Sequence, residues 1–277
     1  DTVVGAPGAE LAYLVYGDPA GQGGELDIRT LYNGEPGFSV RQTGRGTLTG
    51  QSVCMLGDFN ADGLADIAVG APDAGQARRE ERGDIYVFFG TPKTGINADI
   101  GVPDNLDGST GFTIVGYDRT GRAGYAVSGP GDVDGDGIPD LVIGAYAAAS
   151  AGLRGSGEAY VVYGKREAFD PVLFLEDIIF GDGSLGFVIR GAEADGWTGF
   201  SVSGNSDLNS DGVMDIIIGA TRVTSVDGSR EAGAVFVVWG KPKGRVEVDL
   251  SALDPRDGVV LYGPNAYDSA GYSVAGG

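Results

Sequence analysis

Three times along this chain a short acidic loop runs straight into an apolar stretch. Asp58 to Asp66 reads DFNADGLAD, Asp132 to Asp140 reads DVDGDGIPD, and Asp207 to Asp215 reads DLNSDGVMD. In each copy, oxygen-bearing side chains stand at positions 1, 3, 5 and 9 and a glycine at position 6. That alternation lets a short backbone wrap its side chains around one hard cation, as in helix-flanked calcium loops with the same opening spacing. The flanks here are different. From the ninth position the copies continue as DIAVGA, DLVIGA and DIIIGA, rich in β-branched residues and ending in glycine, which predicts buried strands and not amphipathic helices. Each loop therefore belongs to a β-hairpin.

The spacing of the loops sets the architecture. Asp66 to Asp140 is 74 residues and Asp140 to Asp215 is 75, while Asp1, which reads as the ninth position of a further loop, lies 65 before Asp66. A repeat of this length signals a propeller or solenoid array. For the central unit the expected strands are Gly124 to Ser128, Asp140 to Ala145, Glu158 to Gly164 and Gly186 to Arg190. The third strands, AYLVYG, IYVFFG, AYVVYG and VFVVWG, are apolar on both faces, as a sheet sandwiched between two others requires. The expectation is an all-β fold, a single β-propeller of four-stranded blades over residues 1–277. The units run approximately 1–50, 51–122, 123–197, 198–269 and 270–277, the first and last partial, and the long linkers at 18–36, 91–110, 165–185 and 241–257 belong to the repeat. Fifty-one glycines fit many tight turns. The last residues would either lead into further blades, the favoured reading, or close a four-bladed ring with Gly271 to Gly276 beside Thr2 to Ala6.

The quoted segments GYAVSGPGDVDGDGIPDLVIGAY, GFSVSGNSDLNSDGVMDIIIGAT and GQSVCMLGDFNADGLADIAVGAP resemble FG-GAP repeats, the units of the integrin α-subunit β-propeller. Two departures stand out: Gln51 replaces the aromatic, and GAT replaces GAP after Ala220. The resemblance implies one Ca2+ per loop, about three in all. Its side-chain ligands would be Asp58, Asn60, Asp62 and Asp66; Asp132, Asp134, Asp136 and Asp140; and Asp207, Asn209, Asp211 and Asp215. The main-chain carbonyls of Leu64, Ile138 and Val213 would complete the shells.

A net charge of -20 argues against nucleic acid and anionic membrane surfaces, which demand basic patches. Ten acidic residues lie in the loops, so three divalent ions would leave about -14, an ordinary solubility charge. The absence of histidine removes the commonest general base and the Ser-His-Asp triad, and the clustered carboxylates already have a use, so no catalytic residue is assigned. The lone Cys54 sits in an apolar strand and reads as packing. No apolar run reaches membrane-spanning length, so direct membrane insertion is not expected.

Function is then expected on the face opposite the acidic loops. There the connections 72–83, 146–156 and 221–232, and 116–123, 191–198 and 263–270 between blades, vary most. The expected role is non-catalytic adhesion or protein–protein interaction, at an extracellular or cell-surface location implied by the resemblance and by calcium supply, with possible assembly with further repeats or subunits. The alternative is glycan binding, as a lectin-like propeller or an accessory domain of a polysaccharide-active enzyme, with Trp197 the best stacking residue and Trp239 a packing one. Because the unfolded chain holds no preformed site, an ion bound at the loops stabilises the fold. Excess chelator should lower the melting temperature, and a transition that does not move in chelator would defeat the metal assignment.

Overall fold

A computed structural model describes residues 1–16, 37–42, 46–75, 81–91, 99–102 and 105–276. The fold is four β-sheets of four or five strands each. Thr2–Ala6 (β1), Leu11–Val15 (β2) and Gly37–Gln42 (β3) form an antiparallel meander. Ser52–Gly57 (β4), Asp66–Ala71 (β5), Asp84–Phe88 (β6) and Gly111–Val115 (β8) form the second, with Asp99–Val102 (β7) lying between β6 and β8 in sequence. Ala126–Gly131 (β9), Asp140–Ala145 (β10), Glu158–Val162 (β11) and Gly186–Arg190 (β13) form the third, and Val172–Phe174 (β12) precedes the short helix Leu175–Ile179 in its linker. Thr198–Ser206 (β14), Asp215–Ala220 (β15), Ala234–Val238 (β16) and Gly258–Tyr262 (β18) form the fourth, with Glu247–Asp249 (β17) in the linker before β18.

The four expected strands of the central unit are present within three residues of their predicted ends. What the sequence did not disclose is the role of the linkers. Each of β7, β12 and β17 leaves its own unit and adds in parallel to the outer strand of the preceding sheet: β7 on β3, β12 on β8 and β17 on β13. The register repeats, since Ile100, Leu173 and Val248 stand opposite Val40, Ile114 and Ile189, each the fourth residue of its strand. Two of the sheets thereby gain a fifth strand.

Neighbouring sheets pack face to face through three large apolar layers. One contains Val69, Tyr86 and Phe88 with Val40, the next Ile85, Phe112 and Ile114 with Leu141 and Tyr160, and the third Val161 and Ile189 with Ile216 and Phe236. The GA that ends each second strand has a steric reason. A Cβ on Gly144 would stand 2.1 Å from the carbonyl oxygen of Gly199, which opens the next blade, while the Gly144 carbonyl accepts the N–H of Gly124. Gly70 meets Gly124 in the same way, and Gly5 meets Gly50. Glycine at this place lets successive blades close to backbone contact.

The strands on the two sides of the stack differ. β5, β10 and β15 are buried throughout, whereas β1, which among the described residues pairs with β2 alone, is exposed at Thr2 and Val4. Leu261, the counterpart of Val40, Ile114 and Ile189, is 55% exposed where those three are fully buried. Residues 271–276 do not lie beside β1. The Gly271 carbonyl accepts from Ser201 Oγ at 2.7 Å, and the Gly276 N–H donates to Ser203 Oγ at 3.0 Å, placing the segment against β14. No ring closure is formed by strand pairing among the described residues.

Among the described residues no helix is long and apolar enough to cross a membrane. Gly144→Ala should destabilise the fold by about 3 kcal/mol through overpacking against the Gly199 backbone, as read by chemical denaturation. A loss below about 0.5 kcal/mol would mean that the blades are not in backbone contact there.

Candidate metal centres

The three acidic loops share one internal wiring. The first-position carboxylate caps the turn: Asp58 accepts the N–H groups of Asp62 (2.8 Å) and Gly63 (2.9 Å), and Asp207 those of Asp211 (3.0 Å) and Gly212 (2.9 Å). Asp132 accepts from Gly135, Asp136 and Gly137 at 2.6, 3.2 and 2.7 Å. The third-position oxygen accepts the N–H of the fifth residue, from Asn60 to Asp62 at 3.0 Å, Asp134 to Asp136 at 3.0 Å and Asn209 to Asp211 at 2.9 Å. The fifth-position carboxylate accepts the N–H of the seventh residue, Leu64, Ile138 or Val213, at 2.8–2.9 Å. The glycine at position 6 adopts positive φ, between 87° and 94° in the three copies, where a side chain would strain the turn.

The second-position side chain decides how firmly a loop is seated. Phe59 is fully buried and stacks at 5.3 Å on Phe169 of the next blade, and Val133 is buried in the layer facing β15 and β16. Leu208, at the same place in the third loop, is 52% exposed.

The ninth-position aspartates are the deepest part of each loop. Asp66, Asp140 and Asp215 are completely buried. Each accepts at both oxygens, one from the loop and one from the glycine ending the third strand: Asp66 from Phe59 and Gly90 (2.8 and 2.7 Å), Asp140 from Val133 and Gly164 (2.8 and 2.9 Å), and Asp215 from Leu208 and Gly240 (2.7 and 3.0 Å). Burial pushes Asp140 up to about 8 and Asp66 up to about 6, and Asp215 in the same direction, against backbone donors that pull the other way.

Asp132, Asp134 and Asp136 converge so that one oxygen from each lies within 4.8 Å of the others. The ninth-position Asp140 stands outside that group and spends its oxygens on the backbone. In the first and third loops Asn replaces the third-position Asp and bonds back through Nδ2 to the fifth carboxylate, Asn60 to Asp62 at 2.8 Å and Asn209 to Asp211 at 2.9 Å. A divalent ion fits the second loop on a direct observation. Asp134 is 4% exposed and burial raises its carboxyl above the usual range, yet its Oδ2 accepts no hydrogen bond and is faced by the Lys243 ammonium at 3.3 Å, so it is a place built to meet a cation. The donor set is all oxygen, the chemistry a hard cation needs.

At the opposite end of the same hairpins an aromatic row crosses from blade to blade. Tyr125 lies 4.5 Å from Tyr146 and 5.1 Å from Phe200, and Phe200 lies 5.1 Å from Tyr272. Trp197 stacks on Phe200 at 6.1 Å, and the Arg222 guanidinium covers its ring at 4.4 Å. The row follows the aromatic that opens each first strand and stops at Gln51, which has no ring to continue it. Trp239 donates from its indole to the Pro255 carbonyl at 3.3 Å. Of the dense charge cluster Arg78, Arg79, Glu80, Glu81 and Arg82, the first three lie outside the described residues, while Glu81 pairs with Arg122 at 2.8 Å.

The FG-GAP repeat family model matches residues 49–88, 123–162 and 198–238, the three segments that hold a first strand, an acidic loop, a second strand and a third. The chain is an FG-GAP repeat protein. It is 32% identical over 214 residues to phosphatidylinositol-glycan-specific phospholipase D of Bos taurus, an alignment covering 74% of this chain and 23% of that protein. It is 34% identical over 160 residues to integrin alpha-PS2 of Drosophila melanogaster (53% and 10%) and 29% identical over 229 residues to integrin alpha-5 of Xenopus laevis (80% and 18%). The chain thus spans about a quarter of the phospholipase and a tenth to a fifth of the integrins. The FG-GAP matches end with the third strand, so the linker strands β7, β12 and β17 fall outside them.

The buried aspartates dictate a pH response of the metal-free FG-GAP fold. A carboxyl whose folded value is raised holds its proton where the unfolded chain has released it, so stability is lost as pH rises towards the folded value. For Asp66 and Asp140 that window runs from the ordinary carboxylate range up to about 6 and about 8. Exposed carboxylates with lowered values, such as Asp107, have finished titrating below this range. In chelator the melting temperature should fall between pH 5 and pH 8, as followed by calorimetry. A melting temperature that rises across the range would overturn the assignment.

Proposed function

We propose that this chain is a calcium-stabilised, non-catalytic, extracellular β-propeller module that mediates adhesion or protein–protein interaction through the face opposite its acidic loops. The observation that carries the metal half of this reading is the threefold recurrence of one loop geometry, with three carboxylates converging in the second copy. A bound Ca2+ would supply charge neutralisation and oxygen coordination, and nothing else. Asp58, Asn60 and Asp62 would hold it in the first loop with the Leu64 carbonyl, Asp132, Asp134 and Asp136 in the second with Ile138, and Asp207, Asn209 and Asp211 in the third with Val213. Asp66, Asp140 and Asp215 would enter the shells as the sequence pattern suggests, while also anchoring each loop to its third strand.

The interaction half rests on the aromatic row. Tyr272 is 68% exposed at one end of it, and arginines flank the rings: Arg122 donates to Tyr146 Oη at 3.0 Å and pairs with Glu81 at 2.8 Å. Rigid aromatics beside arginine are the composition of protein-binding hot spots. The integrin relatives favour a protein partner and assembly with other subunits at a cell surface. The phospholipase relatives are named for an enzyme, but a chain with no histidine that spans a quarter of them is best read as their non-catalytic repeat region. The glycan reading gains no support at Trp197, because Phe200 stacks on the indole and Arg222 lies over it.

Calorimetric titration should count about three calcium ions per chain. Cells plated on immobilised protein should attach in calcium and detach in chelator, with attachment reduced by Tyr272→Ala while the melting temperature stays within about 2 °C. Attachment indifferent to both changes would sink the adhesion reading, and binding on a glycan array lost in Trp197→Ala would move the function to sugars.

A further inference from the structure

The second acidic loop differs from the other two in a way that is matched elsewhere in the chain. It alone carries aspartate at the third position, where Asn60 and Asn209 stand in its siblings. It also alone has a basic side chain in ion-pair contact, among the described residues. The Lys243 ammonium lies 2.7 Å from Asp136 Oδ2 and 3.3 Å from Asp134 Oδ2, and 5.3 Å from the centre of the Tyr163 ring.

The lysine arrives there through the fold. The end of each third strand reaches back to the loop of the blade before it, so that Lys165 N–H donates to the Phe59 carbonyl at 3.1 Å and Lys241 N–H to the Val133 carbonyl at 2.9 Å. Counting two residues on from these matched anchors gives Glu167 for the first loop and Lys243 for the second. At the matched place the loop with three aspartates and an asparagine thus has a glutamate, with no ion pair to the loop among the described residues, whereas the loop with four aspartates is met by a lysine. Counting loop aspartates and side chains in ion-pair contact with them, the second loop carries four negative charges and one positive, the same net -3 as the three aspartates of each other loop.

We infer that Lys243 is a built-in counter-cation for the second loop, supplied by the following blade, which competes with a divalent ion for Asp134 and Asp136 and so makes this site weaker than its four aspartates would otherwise set. This inference rests on the calcium reading of the loops. Its physical basis is that the Asp134 side chain is fully enclosed, so its charge must be answered either by the ammonium or by an ion. Lys243 is 40% exposed at its side chain and can swing to solvent when an ion takes its place.

The test is a calcium titration of the isotope-labelled chain by amide NMR, following Gly63, Gly137 and Gly212, the sixth residues of the three loops. Lys243→Met should tighten the Gly137 midpoint by about tenfold, the size of effect expected for removing a close but partly screened charge, and leave Gly63 and Gly212 within about twofold. Lys243→Arg, which keeps the charge, should stay near the parent value. Adding Asp134→Asn to Lys243→Met should return the Gly137 midpoint close to the parent value, since both members of the matched pair are then gone. An unchanged Gly137 midpoint in Lys243→Met, or an equal change at all three glycines, overturns the inference while leaving the calcium sites in place. No response at any of the three glycines overturns the calcium reading and the inference with it.

Discussion

A single buried carboxylate in each repeat holds the hairpin, the loop and the third strand together. Asp66, Asp140 and Asp215 each answer one oxygen from the loop backbone and the other from the glycine just after the third strand, in a place closed to bulk solvent. A buried acceptor of this kind is costly unless both oxygens are answered, so the backbone around it has little freedom to be anything else. The tight wrap of positions 1 to 7 follows from that fixed point. So does the turn of the chain after the third strand, which sends the linker back across the preceding blade.

Much of this was legible in the sequence, because the strongest signals are local. The acidic spacing, the glycine at position 6 and the apolar run beginning at position 9 all sit within fifteen residues, and β10 runs between its predicted ends. The parallel strands were not legible. Val172–Phe174 and Glu247–Asp249 have three residues each, are largely exposed, and pair with partners some sixty residues away, as Glu247 does with Val188. No short-range pattern encodes such a pairing. Lys243 was invisible for the same reason, since its contact with Asp136 spans 107 positions.

Trp197 illustrates a different limit. Sequence placed it rightly in a connection between blades, but the value of an aromatic for stacking depends on which of its faces is free. Here φ is +59°, an unusual conformation for so large a residue, and it turns the indole in between Phe200 and Arg222. The aromatic row that results could be anticipated only in part, from the ring that opens each first strand. The arginines that frame it come from other loops.

The parallel linker strands also bear on how the stack carries load. A propeller blade held to its neighbour by face packing alone can be peeled away one layer at a time, because apolar contacts resist sliding weakly. With β7, β12 and β17 stitched lengthwise onto the sheet before them, separating two blades along the strand direction strains all the rungs of the added strand together, as in a zip pulled sideways. Each blade is therefore bolted to the one before it by its own chain, and tension on the array is shared as shear across hydrogen bonds instead of falling on a single interface.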